Sequence, residues 1–546
     1  MTGGEAVVRS LEAHKIEVVF GIPGTHNLAI YDALTHSEKI RHIVARHEQG
    51  AASMADGYAR ASGHPGVCIT TTGPAALNAV SSLGTAYADS SQVLLIASQN
   101  PVATFGLEKG LIHECPKQLE ALQTVVGEAL RPESTGAISK TIFNAFGSMS
   151  VGRARPSAIE IPIDLLNDED SIDILFPETE RPAAFPVSKL IPSLDLIKSS
   201  IRPAVWAGGG VITANASEAL VRFAEKLKAP VFTTVMGKGA IPGSHSLSAG
   251  SALNHWSGRS YLETCDLLIA VGTRFTDEET DSWTLKLPEK VIHIDIDPQS
   301  IGPIYVPTIS LIADAKLSLG ILDEHLLDHV VDNGSNRVME VKKLRKELRE
   351  DCLKKAPEGV HLVDSIQAGL PSDAIVVSDL TLMAYWCRRL LDFYEPRSNL
   401  YPWGFGTLGF ALPAAIGAKL ARPERPVVAI CGDGGFMFNL QELATAIQHE
   451  VPIVLLVFND NSYGVLEKQQ EVLFGRKIGV NLYNPDFIAL AKSFGIKGER
   501  VDTIDALEDS LSRAVCYNDT YLIEITVPVP WPVMEPSVRI FEEREE

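Results

Sequence analysis

The stretch Val427-Val428-Ala429-Ile430-Cys431-Gly432-Asp433-Gly434-Gly435-Phe436 decides the reading of this chain. Five apolar residues form a buried strand, the glycines make a turn, and Asn439 to Gln448 follows with a helical pattern. Glycines let a backbone approach a bulky anion and adopt positive φ. The helix start beyond them offers free N–H groups and the positive end of a dipole. Asp433 breaks that logic, because a bare carboxylate beside phosphate is repulsive. A hard divalent cation between the two, held by oxygen ligands, restores it. A second apolar run, Ile453 to Phe458, leads into Asn459-Asp460-Asn461-Ser462-Tyr463-Gly464. Strand, helix and strand make a βαβ unit, whose strand ends open on one edge of a parallel sheet. Asp433 and Asp460, 27 positions apart, are therefore placed to flank one metal.

The same alternation extends outward. Glu5 to His14, His47 to Ser62 and Pro74 to Tyr87 have helical patterns, while Ile16 to Phe20, Gly66 to Thr71, Val93 to Ala97 and Ser157 to Ile161 read as strands. A linker rich in Asp, Glu and Pro runs from Asn167 to Lys189. Beyond it Pro203 to Ala207, Asp266 to Val271 and Val291 to Ile294 are strands again. Gly208-Gly209-Gly210 follows the first of these. It lacks the spacing of a dinucleotide fingerprint, so a structural glycine turn is the preferred reading. Alternation of this kind predicts an α/β protein of three domains, over 1–166, 190–330 and 355–530, each a mainly parallel sheet flanked by helices. The charged stretch Asp323 to Arg349 bridges the last two, and Pro536 to Glu546 is expected to be a solvated extension. The first and third regions are open to being one fold used twice.

A formal net charge of −20 argues against a nucleic-acid or anionic-membrane partner. The seven cysteines show no CxxC or His/Cys spacing, which speaks for a reducing compartment and against zinc. No signal peptide and no apolar run of membrane length is read. The expectation is a soluble cytoplasmic protein.

Taken together, the Gly-Asp-Gly turn and the Asn-Asp that follows it resemble the diphosphate-binding motif of thiamine diphosphate (ThDP) enzymes. Arg46-His47-Glu48-Gln49-Gly50-Ala51 with Gly57-Tyr58-Ala59-Arg60 resembles the first-domain segment of acetolactate synthases and related 2-oxo acid decarboxylases. Gly21-Ile22-Pro23-Gly24, Thr72-Gly73-Pro74 with Asn78, and the segment Phe405 to Gly417 resemble further loops of that family, in family order.

The resemblance implies a ThDP-binding fold for the first and third domains. It implies Mg²⁺ held by Asp433, Asp460 and the Ser462 carbonyl, although the family usually carries Asn where Asp460 stands. Gly434, Gly435, Tyr463 and the Thr381 hydroxyl would meet the diphosphate. Leu408 would wedge the two cofactor rings into a V, and the Gly406 carbonyl would accept from the cofactor's amino group. Glu48 would pair with the pyrimidine nitrogen and so make that amino group basic. The cofactor then attacks a 2-oxo acid and stores the electrons left when CO₂ departs. His113 matches a loop that carries His in several decarboxylases and Gln in acetolactate synthases. It is read as an acid–base group, with His26 as a second candidate. Thr71 stands where one decarboxylase branch has a catalytic His, and Val465 and Leu466 where pyruvate decarboxylases carry Glu. Those relays are therefore not expected here.

The implied reaction is non-oxidative decarboxylation of a 2-oxo acid, ending in an aldehyde or a carboligation product. Active sites would form between chains of a homodimer or homotetramer. The alternatives are an acetolactate synthase catalytic subunit, with room for FAD in a central domain where Arg274-Phe275-Thr276-Asp277 resembles a family segment, and a non-catalytic ThDP-fold binding protein. Glu48, Asp433 and Leu408 speak against the last.

Overall fold

Short branched apolar runs, buried from end to end, place the central strands, because a strand covered on both faces has no polar side. The computed structural model describes residues 1–177, 183–302, 304–326 and 335–532. The acidic tail over 536–546 lies outside these residues, and the bridge after residue 334 is the helix Ser335–Lys355.

Among the described residues, three parallel sheets of six strands form the framework. The first holds β1 (Val18–Gly21), β2 (Arg41–Val44), β3 (Gly66–Thr70), β4 (Val93–Gln99), β5 (Glu128–Leu130) and β6 (Ser157–Pro162), in the order β2-β1-β3-β4-β6-β5. The second holds β7 (Pro203–Ala207), β8 (Val231–Thr233), β9 (Ser248–Gly250), β10 (Leu267–Val271), β11 (Lys290–Asp295) and β12 (Ile309–Ile312), in the order β12-β11-β10-β7-β8-β9. The third holds β13 (Ile375–Ser378), β14 (Asn399–Leu400), β15 (Val427–Gly432), β16 (Val454–Phe458), β17 (Lys497–Val501) and β18 (Tyr521–Ile525), in the order β14-β13-β15-β16-β18-β17. Strand for strand, the third sheet repeats the order of the first, so one fold is used twice. The middle sheet has the doubly wound order, with its switch point between β7 and β10. The expected α/β class holds.

The strands that the sequence pattern above does not announce are β2, β5, β8, β9, β12, β13, β14, β17 and β18. Six of them close the sheet edges, where a strand needs neither length nor an unbroken apolar run, and β8, β13 and β18, of three to five residues, lie inside the sheets. Among the described residues no helix is long and apolar enough to cross a membrane.

Helix Glu48–Ser62 of the first region packs on helix Ala411–Ala421 of the third. Both are rich in alanine and glycine, so their backbones come close. A Cβ on Gly57 would collide with the Ala414 carbonyl, and one on Gly417 with that of Met54. Apolar side chains of both regions merge there into one core.

Candidate functional site

In the ladder between β15 and β16, Gly432 stands opposite Phe458, so both strands end together and deliver Asp433 and Asp460 to one edge. Asp433 is buried. Its Oδ1 accepts from the Gly434 N–H at 2.8 Å and its Oδ2 from Asn484 Nδ2 at 2.7 Å. Asp460 Oδ1 accepts from the Ser462 N–H at 3.1 Å. Burial pushes the Asp433 carboxyl up. Burial, and then the charge of Asp433, push Asp460 up to about 6. Two crowded carboxylates with oxygen-rich surroundings suit a hard dication, which would reverse that repulsion.

One detail of the sequence reading is corrected. Helix Asp433–Asn439 begins at the aspartate itself, so Gly434 and Gly435 lie in its first turn and do not take positive φ. They are needed for close approach instead. A Cβ on Gly434 would stand 2.6 Å from the Tyr463 ring, and one on Gly435 2.7 Å from Asp379 Oδ2. The expected helix from Asn439 to Gln448 is a 3₁₀ turn, Leu440–Glu442, followed by helix Leu443–Gln448.

A cavity of about 270 Å³ opens on this edge. Thr381, Leu408, Asp433, Gly434, Gly435, Asp460, Ser462 and Tyr463 line it, with Val465 and Leu466 on an apolar wall. An acidic end and an apolar wall fit a cation-bound diphosphate joined to a ring. Gly406 is not in the lining. It takes φ +74° two residues before Leu408, with Leu380 behind it. The Leu408 loop is held by Asp379, whose Oδ2 accepts from the Gly409 N–H at 3.0 Å, and by Asn439, whose Nδ2 donates to the Gly409 carbonyl at 2.8 Å. Burial raises Asp379 to about 6, against the hydrogen bonds from Leu380, Gly409, Phe410 and Ala411.

Glu48, His26 and His113 stand elsewhere, on the C-terminal edge of the first sheet, and none lines the cavity. Glu48 opens its helix, capped by the His47 side chain, which accepts from the Gln49 N–H. Its Oε2 accepts from Asn78 Nδ2 at 2.9 Å. Next to it, Gln49 Nε2 donates to the Leu408 carbonyl at 3.1 Å. His26 and His113 meet edge to face, with ring centroids 5.7 Å apart. Burial pushes the His26 pKa down and His113 adds to this, while the Asn100 side chain opposes it. His113 takes φ +59°, unusual for a residue with a side chain, backed by Gly73, where a Cβ would collide with the His113 carbonyl.

Sequence reasoning missed Glu442. Its carboxylate reaches from the third region and accepts from the backbone N–H of Arg46 at 3.1 Å and of His47 at 3.0 Å, gripping the start of the Glu48 helix. It also missed Asn484 and Asp379. No local pattern marks any of them, because each acts on a segment distant in the chain.

A second cleft of about 1640 Å³ lies at the switch point of the middle sheet and reaches the first region. Gly208 to Gly210, Thr273, Arg274 and Asp295 line it, with Arg153 from the first region. The glycines let two loops touch, since a Cβ on Gly208 or Gly210 would strike Gly272. In place of the expected glycine turn, Gly208 caps the helix Gly209–Thr213, whose start forms part of the cleft wall.

Three family models match the chain: the N-terminal TPP binding domain of thiamine pyrophosphate enzymes over residues 1–121, their central domain over 192–322, and their C-terminal TPP binding domain over 379–525. A "Probable acetolactate synthase large subunit" of Methanocaldococcus jannaschii is 36% identical, covering 99% of this chain and 94% of the relative. A "Probable 2-ketoarginine decarboxylase" of Pseudomonas aeruginosa is 37% identical, with 96% and 94% covered. An acetolactate synthase large subunit of Haemophilus influenzae is 34% identical, with 96% and 94% covered. With two copies of one sheet order, a Gly-Asp-Gly edge bearing paired carboxylates, and matches along nearly its whole length, this chain belongs to the acetolactate synthase-like family of thiamine diphosphate-dependent enzymes.

Proposed function

We propose that the protein is a ThDP- and Mg²⁺-dependent 2-oxo acid decarboxylase that releases CO₂ and an aldehyde. The observation that carries this reading is the His26–His113 pair beside the strand ends of the Glu48 region. Bound thiamine diphosphate supplies a carbon nucleophile and a sink for the electrons left by CO₂. Asp433, Asp460 and the Ser462 carbonyl would hold the metal and through it the diphosphate. Thr381, Gly434, Gly435 and Tyr463 would shape the anion pocket, and Leu408 with the Gly406 segment would support the cofactor rings. Glu48 would pair with the pyrimidine nitrogen. His113 delivers the proton that completes the aldehyde, and His26, whose pKa burial lowers, stands with its ring 5.7 Å from that of His113. Because the cavity draws on residues 380–529 alone, the complete site is read as joining the third domain of one subunit to the first domain of another. The similarity to a protein named for 2-ketoarginine decarboxylation supports the decarboxylase branch.

The test is a panel of straight-chain, branched and guanidino-bearing 2-oxo acids, scored for CO₂ and for aldehyde by mass spectrometry. A positioned acid is worth about 10²–10⁴ in rate, so His113→Ala should slow aldehyde release on that scale while single-turnover CO₂ formation persists. Equal rates in both proteins would make His113 a bystander.

The second reading, acetolactate synthase with FAD in the middle domain, is favoured by the large cleft at the switch point. Flavin absorbance in the purified protein, with acetolactate formed from pyruvate, would establish it.

A further inference from the structure

Glu160 sits in β6 with no exposed surface, out of contact with the cavity of the third region. Four donors converge on it. Its Oε1 accepts from Gln99 Nε2 at 2.6 Å and from Gln118 Nε2 at 2.9 Å. Its Oε2 accepts from Arg131 Nε at 2.7 Å and from Arg131 Nη2. Only an acceptor on both oxygens satisfies this set, which requires a carboxylate.

Each donor is also tied to the segment that carries His113. Gln118 Oε1 accepts from the Gly73 N–H at 2.6 Å, and Gly73 is the residue pressed against the His113 carbonyl. Gln99 Nε2 also reaches the Cys115 carbonyl at 3.4 Å, and its Oε1 accepts from the Asn100 N–H at 2.8 Å. Asn100 in turn lies against His26. The Arg131 guanidinium lies over the Phe105 ring, 4.6 Å from its centroid, where the loop begins. The loop has little apolar anchorage of its own, since Leu107 and Ile112 are 52% and 64% exposed. A strained φ at His113 persists only where surroundings over-determine it.

We infer that Glu160 is a positioning residue that fixes the His113 imidazole, acting through Gln99, Gln118 and Arg131 on both ends of the 105–118 loop. The inference rests on the proposed role of His113, and its test separates the two.

In Glu160→Gln, an amide N–H₂ is set against donors and the clamp opens. Hydrogen exchange read by mass spectrometry in peptides over 71–74 and 105–118 should quicken at least about 10-fold, with the other strands of the first sheet unchanged. Aldehyde release should fall about 10-fold, part of the range for one positioned acid, with single-turnover CO₂ formation nearly unchanged. Added to His113→Ala, Glu160→Gln should cause no further loss, because residues acting as one unit are not additive. Glu160→Asp, which keeps the acceptors, should recover part of the rate. Should Glu160→Gln not fold, Gln118→Leu leaves the carboxylate in place, removes its link to Gly73, and should give the same exchange signature over 71–74. Unchanged loop exchange, or a loss that adds to that of His113→Ala, overturns the inference. A silent His113→Ala overturns the acid–base reading alone, because loop exchange reports on Glu160 without reference to His113.

Discussion

Replacing Glu442 by glutamine should make the start of the Glu48 helix more firmly held at alkaline pH than it is in the wild type. The Glu442 carboxylate is fully buried, and burial raises it from 4.5 to about 7 against the bonds from Thr445, Arg46 and His47. That displacement corresponds to about 3 kcal/mol, at about 1.4 kcal/mol per pH unit. The folded value lies above the unfolded one, so the stabilising form is the protonated one. Its contribution is complete below about 4.5 and is lost as the pH rises through about 7. In Glu442→Gln the amide oxygen still accepts from Arg46 and His47, and the amide nitrogen meets the Thr445 hydroxyl, now 2.6 Å from Oε2. The variant therefore keeps the contacts and loses the titration. Hydrogen exchange of peptides over 44–50, corrected for intrinsic exchange at each pH, measures local opening. From pH 5 to 8 the opening free energy of the wild type should fall by about 2.5 kcal/mol relative to the variant, the rest of the effect lying below pH 5. Other raised acids, such as Glu279 at about 7 and Asp295 at about 6, are common to both proteins and cancel in the difference. Parallel curves would refute the reasoning and give Glu442 an ordinary carboxyl in a wetter site.

Glu48→Gln should retain ThDP and Mg²⁺ but exchange the proton of the cofactor's reactive ring carbon at least ~10²-fold more slowly in deuterium-quench NMR, since an amide cannot share a proton with the pyrimidine nitrogen. Asp433→Ala should abolish Mg²⁺-dependent ThDP binding by calorimetry, whereas Asp460→Asn, which keeps an oxygen donor, should weaken it only mildly; equal and complete loss would contradict the ligand assignment. Gly73→Ala puts a side chain at φ +65° and against the His113 carbonyl, so it should cost about 1–3 kcal/mol of stability in thermal or denaturant unfolding and slow aldehyde release.

The sequence by itself determined what is local. The unbroken apolar runs of β3, β10, β15 and β16 mark central strands because burial on both faces leaves no polar position, and the step from β15 through Asp433 to Asp460 follows from one βαβ unit. Glu48, His113 and Leu408 each lie in a short segment that carries a family resemblance, which is local information too. The tertiary structure alone decided how segments far apart in the chain act on one another. That Gly434 and Gly435 serve close packing, and not positive φ, depends on where Tyr463 and Asp379 stand. The shared sheet order of the first and third regions rests on which strands pair side by side, and that is a contact between segments far apart in the chain. His26 faces His113, Glu442 grips His47, and Glu160 gathers Gln99, Gln118 and Arg131 because parallel strands bring distant chain segments to one sheet edge. A buried carboxylate with several donors is a demand for partners in space, and linear spacing holds no record of which partners meet it.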